Sequence, residues 1–274
     1  MKDNMAINRT KNVLRNEWKV LASEPTTIML FTLVPLIILA EAMVAIWLIA
    51  IIGGEAMAAN EFFSGTLEKL VTSYPRAADL PDIDRVRLLL LTQLNFFTLL
   101  IPTMVAIYAG AYGIVEEKVS HSLEPLLATP VKTWELLFGK ALAGFLPAMT
   151  ITWICAALAL LGVYILGWGY LIVYYINIIW AVNFFLISPA VAFLSFLLGI
   201  IGSSRARDHR SAQNMVLFII FPIFILIAVQ MTGIIWFTPL LIIVMGIVLC
   251  IIDLLVLGIA VRLFHRESII IRWR

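Results

Sequence analysis

The chain has 274 residues, of which 62% are hydrophobic and 13% are charged, and its formal net charge is only +2. Soluble domains are about 45–50% apolar and about 25% charged. A soluble fold of this size has too little interior for so much apolar side chain, so composition excludes a soluble protein and predicts one solvated by a lipid bilayer.

The first 24 residues are polar and basic, which argues against a signal peptide. An amphipathic elbow helix is predicted over residues 8–24, although Glu17 interrupts its apolar side. The alternative is that its cations are only the flanking charge of a membrane span. As a helix it could lie among lipid headgroups, with its cations near anionic lipid. Its apolar residues follow i, i+4, i+7 spacing beside a basic row: Leu14, Trp18 and Leu21, then Lys11, Arg15 and Lys19.

Apolar runs long enough to cross about 30 Å of hydrocarbon recur six times. The predicted fold is therefore all-α: a polytopic membrane protein with six transmembrane helices, because lone strands would leave backbone groups unpaired in lipid. Pro25 is expected to change the chain direction before the first span. The predicted spans are 27–52, 87–113, 136–166, 171–201, 215–234 and 238–263.

Basic residues give the orientation. With six spans, 15 of the 19 Lys and Arg fall on one side of the membrane. The positive-inside rule then predicts that both termini are cytoplasmic, as in a multi-pass protein of the plasma or inner membrane. The other side carries only four: Lys69, Arg76, Arg85 and Arg87.

The segment 53–86 is the only sizeable connection predicted on the outer side, and it is acidic. Phe63, Leu67 and Leu70 recur at helical spacing, which predicts an amphipathic helix over Glu61–Tyr74 on the outer membrane interface. Pro75 is expected to end it.

A charged segment, 116–134, separates the second and third spans. Ser120 is a suitable N-cap for a helix over Ser120–Ala128, and the Thr129–Pro130 pair would stop that helix. A helix this short is unstable alone in water, so it is expected to pack on a partner or on the protein's own cytoplasmic extensions. The alternative is an ordinary solvated connection. The predicted apolar ridge with its adjacent carboxylate comprises Leu123, Leu126, Leu127 and Glu124.

The string VEEKVSHSLEPLLATPVKTWELLFGKAL resembles the first cytoplasmic loop of ABC transporter type-2 permeases. The matching parts are the pair Glu117–Lys118, the run Leu123–Val131 and the return Glu135–Lys140. His121–Ser122 stands where the family often has Gly-Thr. The resemblance implies a coupling helix seated in a groove of an ATP-hydrolysing subunit, with a docking surface comprising Glu117, Lys118, Leu123, Glu124, Leu126 and Leu127.

Two further stretches resemble the same family. NEWKVLASEPTT is similar to its elbow, and IGSSRARDHRSAQN is similar to its second coupling loop, here 202–213, which would dock through Arg205, Arg207 and Asp208. The alternative for those arginines is positive-inside charge alone. Many relatives carry an outer re-entrant hairpin between spans five and six. The turn Gln230–Pro239 is too short for a full one, so 53–86 is expected to contribute to an outer gate.

The resemblance implies the permease subunit of an ABC exporter, paired with a second copy or a similar permease and with separate ATPase subunits. ATP and Mg would bind to the ATPase, no cofactor to this chain, and no nucleic acid is expected. The sequence has no Walker loop and no catalytic constellation, so enzymatic activity is not expected. The substrate is expected to be lipophilic or amphipathic. Two alternatives remain: a stand-alone secondary carrier or channel, and a membrane-embedded enzyme.

Two carboxylates, Glu41 and Asp253, fall inside predicted spans, where a charge is costly and therefore a candidate for function. Asn95 and Asn183 could line the same substrate path, or could instead form interhelical hydrogen bonds. The two cysteines, Cys155 and Cys250, are interpreted as small core residues without metal or disulfide spacing.

Overall fold

A computed structural model of the chain describes residues 2–119, 133–205, 221, 225 and 238–263. The described residues are nearly all helical, and no strand occurs among them. Five of the described helical stretches are long and apolar enough to cross a membrane: Pro25–Ile52, Asp82–Ala111, Leu137–Tyr175, Ile178–Ser203 and Pro239–Leu263. Except for residues 221 and 225, the predicted fifth span, 215–234, lies outside the described residues.

The chain begins with helix α1, Lys2–Ser23, followed directly by α2, Pro25–Ile52. Glu24 separates them because its backbone is extended, with φ −101° and ψ 109°, and Pro25 opens the new helix. Proline suits a first helical position because its missing N–H would have no intrahelical partner there. The residues predicted to form the elbow, 8–24, are thus helical as far as Ser23, and the helix is interrupted at Glu24, directly before Pro25.

The segment after α2 folds against the spans. It contains α3, Gly54–Ala59, then α4, Glu61–Ser73, then a 3₁₀ turn, Pro75–Asp79. The helix predicted over Glu61–Tyr74 is thus present, but Leu67 and Leu70 are buried in the protein core. Its apolar face therefore packs on the protein rather than on lipid, because α4 lies against α3 and α5.

The predicted second span is broken into two helices. Helix α5, Asp82–Thr92, turns at Gln93 into α6, Leu94–Val119. The Gln93 N–H bonds to the Leu90 carbonyl oxygen at 3.1 Å, a three-residue closure that interrupts the α-helical pattern.

The third and fourth predicted spans have different limits in the structure. Helix α7 covers Thr133–Val163, and two breaks follow. Gly167 adopts φ +81°, the left-handed region that favours glycine. Asn177 then caps the next helix by accepting the Trp180 N–H at 3.0 Å. The fourth span consequently begins at Ile178 instead of Leu171, because this cap starts a new helix.

Short pieces connect α7 to the fourth span and continue into it. After a π turn, Tyr164–Trp168, and a 3₁₀ turn, Gly169–Leu171, the chain forms α8, Ile172–Tyr175, and α9, Ile178–Val182. A second π segment and two long helices complete the described fold: Asn183–Ile187, α10 over Ser188–Arg205, and α11 over Pro239–Leu263.

The core has two main parts. One lies at the end of the molecule formed by residues 53–92 and 163–187. The other joins α6, α7, α10 and α11 nearer to α1. We call these two regions the distal end and the α1 end.

Candidate functional site

A buried ion pair fixes α1 to the beginning of α7. The Lys140 ammonium Nζ donates to Glu17 Oε1 at 2.8 Å, and the two side chains are only 5% and 16% exposed. An unpaired ammonium in this position would be costly, since burial removes its hydration. Glu17 thus supplies a carboxylate partner for the buried Lys140.

Two further contacts bring the same helices close together. The Trp18 indole Nε1 donates to the Ala143 carbonyl oxygen at 3.2 Å. Gly139 lies so near α1 that a Cβ at that position would be 2.9 Å from Val13 Cγ1. The absence of a side chain therefore permits the close approach, and α1 follows the first turns of α7.

Three glycines bring α6, α7 and α10 into close contact. A Cβ on Gly144 of α7 would lie 2.5 Å from the Phe196 ring of α10, and one on Gly199 of α10 would lie 2.6 Å from the Ile107 carbonyl oxygen of α6. A Cβ on Gly110 of α6 would meet the Phe196 backbone. Small residues are the usual means of close helix packing in membranes. We call α6, α7 and α10, joined by these glycines, the three-helix unit.

Both segments that resemble coupling loops begin or end on this unit. Helix α6 ends at Val119 and α7 begins at Thr133, so these two helices flank residues 120–132. Helix α10 ends at Arg205, so its last turn includes residues 202–205, the start of the second segment. All three of these helix termini lie at the α1 end, because α1 packs on the first turns of α7 and Gly199 packs on α6.

Most predicted docking residues cannot be placed on the structure. Those that lie outside the described residues are Leu123, Glu124, Leu126, Leu127, Arg207 and Asp208. Glu117 and Lys118 belong to the last turns of α6, and Arg205 is the last residue of α10. The docking surface therefore stays a prediction.

Asn95 and Asn183 meet in a buried polar network between α6 and the fourth span. The Asn183 amide Nδ2 donates to the Asn95 carbonyl oxygen at 3.0 Å and to Thr98 Oγ1 at 2.7 Å. The Tyr175 hydroxyl donates to Asn95 Oδ1 at 2.9 Å, and the Ser188 hydroxyl donates to the Thr98 carbonyl oxygen at 2.9 Å. These contacts favour interhelical hydrogen bonding, one of the two roles left open by the sequence.

Tyr74 connects the distal segment to that network. Its side chain is buried and shares hydrogen bonds with Asn95 and Asn177. Burial raises the pKa of Tyr74 well above its usual value, against the opposing effect of those hydrogen bonds. The hydroxyl therefore stays neutral, and the segment before the second span is anchored inside the helix bundle.

A second set of polar contacts holds the turn after α7 onto α5. Asp84 Oδ1 accepts from the Tyr170 hydroxyl at 2.7 Å and from Arg87 Nη1 at 2.8 Å. The Arg87 guanidinium also lies over the Trp168 ring, 5.5 Å from its centroid, which is a cation–π geometry. The distal end is thus closed by contacts between residues far apart in the sequence.

The two carboxylates in the spans occupy different environments. Glu41 is exposed, since the buried face of α2 carries other residues. Asp253 is buried, and its Oδ1 has no hydrogen-bond partner within the part of the chain that the structure describes. Gly246, Asp253 and Ala260 are all buried at seven-residue spacing, so Asp253 lies on the inward face of α11. Among the described residues, no hydrogen bond joins Glu41 to Asp253.

Sequence reasoning missed the ion pair and the glycine contacts. Glu17 was recognisable only as a charged residue in an otherwise apolar helix side, and Lys140 only as flanking charge. The sequence did contain a signal for the ion pair, because a carboxylate on a packed helix face requires a cationic partner. The glycines carried no such signal, since their partners come from helices about 50 to 130 residues away.

Comparison with known proteins assigns the chain to a family. A family model described as ABC-2 family transporter protein matches residues 11–262, which is most of the chain. No curated protein and no solved structure matches it. Within the described residues, no group of three His, Cys, Asp or Glu side chains could hold a metal ion. The several long apolar helices identify a multi-pass membrane protein, and the chain belongs to the ABC-2 family of transporter proteins.

Proposed function

We propose that this chain is the permease subunit of an ATP-driven exporter, coupled to a separate ABC-type ATPase through residues 116–134 and 202–213. One observation supports this most directly. Both segments adjoin the three-helix unit, whose glycine contacts leave little freedom for independent motion. A force applied to either segment would move the same packed body.

The proposed transport cycle needs no nucleotide site on this chain. ATP and Mg bind to the partner, and closure of the ATPase dimer presses on the coupling segments. The three-helix unit then moves relative to α2 and α11, which switches access between the two sides of the membrane. Such a switch requires only that the two conformations contact the ATPase differently. Helix α1 moves with α7 because the Glu17–Lys140 pair joins them.

The α1 end is proposed to face the cytoplasm, because the predicted distribution of basic residues follows the positive-inside rule. The permease is proposed to work as two copies, or with a similar permease, in the plasma or inner membrane.

The exposed position of Glu41 supports a protein or aqueous neighbour for α2. It is the seventeenth of 28 residues in an apolar helix and is exposed, a position where contact with lipid alone would be unfavourable. A second permease subunit against that face, or a wet path between subunits, would relieve this cost.

A lipophilic or amphipathic substrate is proposed because the exposed faces of α2 and α11 are almost wholly apolar. Export, rather than import, is proposed from the family resemblance of the coupling segments.

Substitution of Leu127 tests the docking surface. Leu127→Asp is expected to abolish recovery of an ABC-type ATPase with the tagged permease from native membranes, because the change places a charge on the proposed apolar contact. The measurement is mass spectrometry of the gently solubilised complex.

Thr72→Asp is the matched control. Thr72 is exposed on α4 at the distal end, so this variant should recover the ATPase normally. The docking assignment is wrong if Leu127→Asp inserts into the membrane and still recovers ATPase at the wild-type ratio.

A further inference from the structure

An open apolar groove of about 570 Å³ lies between the second half of α1, the first turns of α2 and the middle of α7. This volume falls within the range of about 300–1,000 Å³ common for small-molecule sites. Its floor and walls are formed by the side chains of Trp18, Leu21, Ile28, Phe31, Leu146 and Ile154, among others.

One wall of the groove is long enough to contact part of a hydrocarbon chain. Its α7 wall extends from Leu146 to Ile154, about 12 Å at 1.5 Å per residue. Pro147 lies in that wall within the helix. Trp18 forms part of the mouth, because the residue remains 44% exposed, and its indole N–H is already bonded to the Ala143 carbonyl oxygen. The tryptophan is thus held in place with an apolar surface available to a ligand.

A row of cations borders the groove on α1. Successive residues of α1 lie about 100° apart around the helix axis. The face that carries Val13 and Glu17 contacts α7. The adjacent face carries Trp18 and Leu21, which line the groove. The next face carries the basic row, all exposed: Lys11, Arg15 and Lys19. Cations therefore lie beside the mouth, on the side away from α7.

We propose that this groove is a binding site for an anionic phospholipid of the leaflet that α1 borders. One acyl chain lies between α2 and α7, and the phosphate-bearing headgroup lies against Arg15 and Lys19. The charge of the basic row selects an anionic headgroup, and the apolar walls require a chain. The site needs no ATPase partner and does not depend on the proposed transport function.

Lipid titration followed by native mass spectrometry tests the site on the purified full chain. Dioleoyl phosphatidylglycerol is expected to bind more tightly than dioleoyl phosphatidylcholine. The Arg15→Gln/Lys19→Gln variant should lose about fivefold in phosphatidylglycerol affinity for each charge removed, with phosphatidylcholine affinity unchanged. Equal affinity of the wild type for the two lipids would overturn the proposal.

A second pair of variants tests the groove itself. Ile154→Trp fills the groove and should weaken binding of both lipids. Ile251→Trp is the control, because Ile251 is about equally exposed, on α11, and does not line the groove. Unchanged binding to Ile154→Trp, or competition by glycerol phosphate as strong as that of the intact lipid, would contradict a site for an acyl chain.

Fluorescence provides a readout that needs no core substitution. Phosphatidylglycerol with brominated chains should quench the wild type more than Trp18→Phe, because Trp18 lines the groove. Equal fractional quenching of the two proteins would place the bound chain elsewhere and overturn the proposal.

Discussion

Replacing Lys140 with methionine is expected to lower the free energy of unfolding by less than replacing Glu17 with leucine. Glu17→Leu removes a carboxylate partner from an ammonium that is almost completely buried, at a cost of about 3–5 kcal/mol. Lys140→Met leaves a carboxylate that is 16% exposed and can reach water more easily, so about 2–3 kcal/mol is expected. Unfolding of each variant in mixed micelles measures both values.

The double variant separates the energy of the Glu17–Lys140 interaction from the cost of burying one of these charges after the other has been removed. Glu17→Leu/Lys140→Met should recover most of the lost stability, because an apolar pair of similar volume often replaces a buried ion pair without loss. The coupling energy of the cycle should exceed about 1 kcal/mol. Lys19→Met, an exposed lysine on the same helix, should change stability by less than about 0.5 kcal/mol. Additive effects in the cycle would refute a stabilising Glu17–Lys140 ion pair.

Gly110→Ala is expected to destabilise the protein by about 1–3 kcal/mol, the usual cost of overpacking a tight core. The added methyl would meet the backbone of Phe196, which cannot rotate away as a side chain could. The helices α6 and α10 would have to separate, so transport should fall together with stability. Thermal unfolding and transport in vesicles measure the two effects.

Gly258→Ala is the control for that experiment. Gly258 also lies inside a long apolar helix, but no atom of the described residues lies within 4 Å of a Cβ placed there. Its replacement should be neutral or stabilising by up to about 1 kcal/mol, since alanine is the better helix former. If both variants behave alike, close packing at Gly110 does not hold the three-helix unit together.

Hydropathy was sufficient to predict the all-helical class and most spans. Apolar runs must become helices in lipid, and the pattern of Leu14, Trp18 and Leu21 predicted α1 before α2. Limits of helices inside apolar sequence were less predictable. Residues 171–175 are as apolar as the span that follows, so only the cap at Asn177 distinguishes them, and asparagine in a membrane segment has several roles.

The site depended on contacts that a single sequence does not contain. Asn95 and Asn183 were recognisable as polar residues in spans, but their pairing arises from the packing of α6 against the fourth span. Leu67 and Leu70 were correctly placed on a helix. Whether such a face meets lipid or protein depends on the neighbouring surface, which here is the protein core.

Cross-linking mass spectrometry of the complex from native membranes tests the central claim most directly. Lys118 and Lys132 flank the predicted first coupling helix, and both should cross-link to an ABC-type ATPase. Lys69, in α4 at the distal end, should not. The proposed coupling is contradicted if transport proceeds without ATP and neither Lys118 nor Lys132 forms a cross-link to an ATPase.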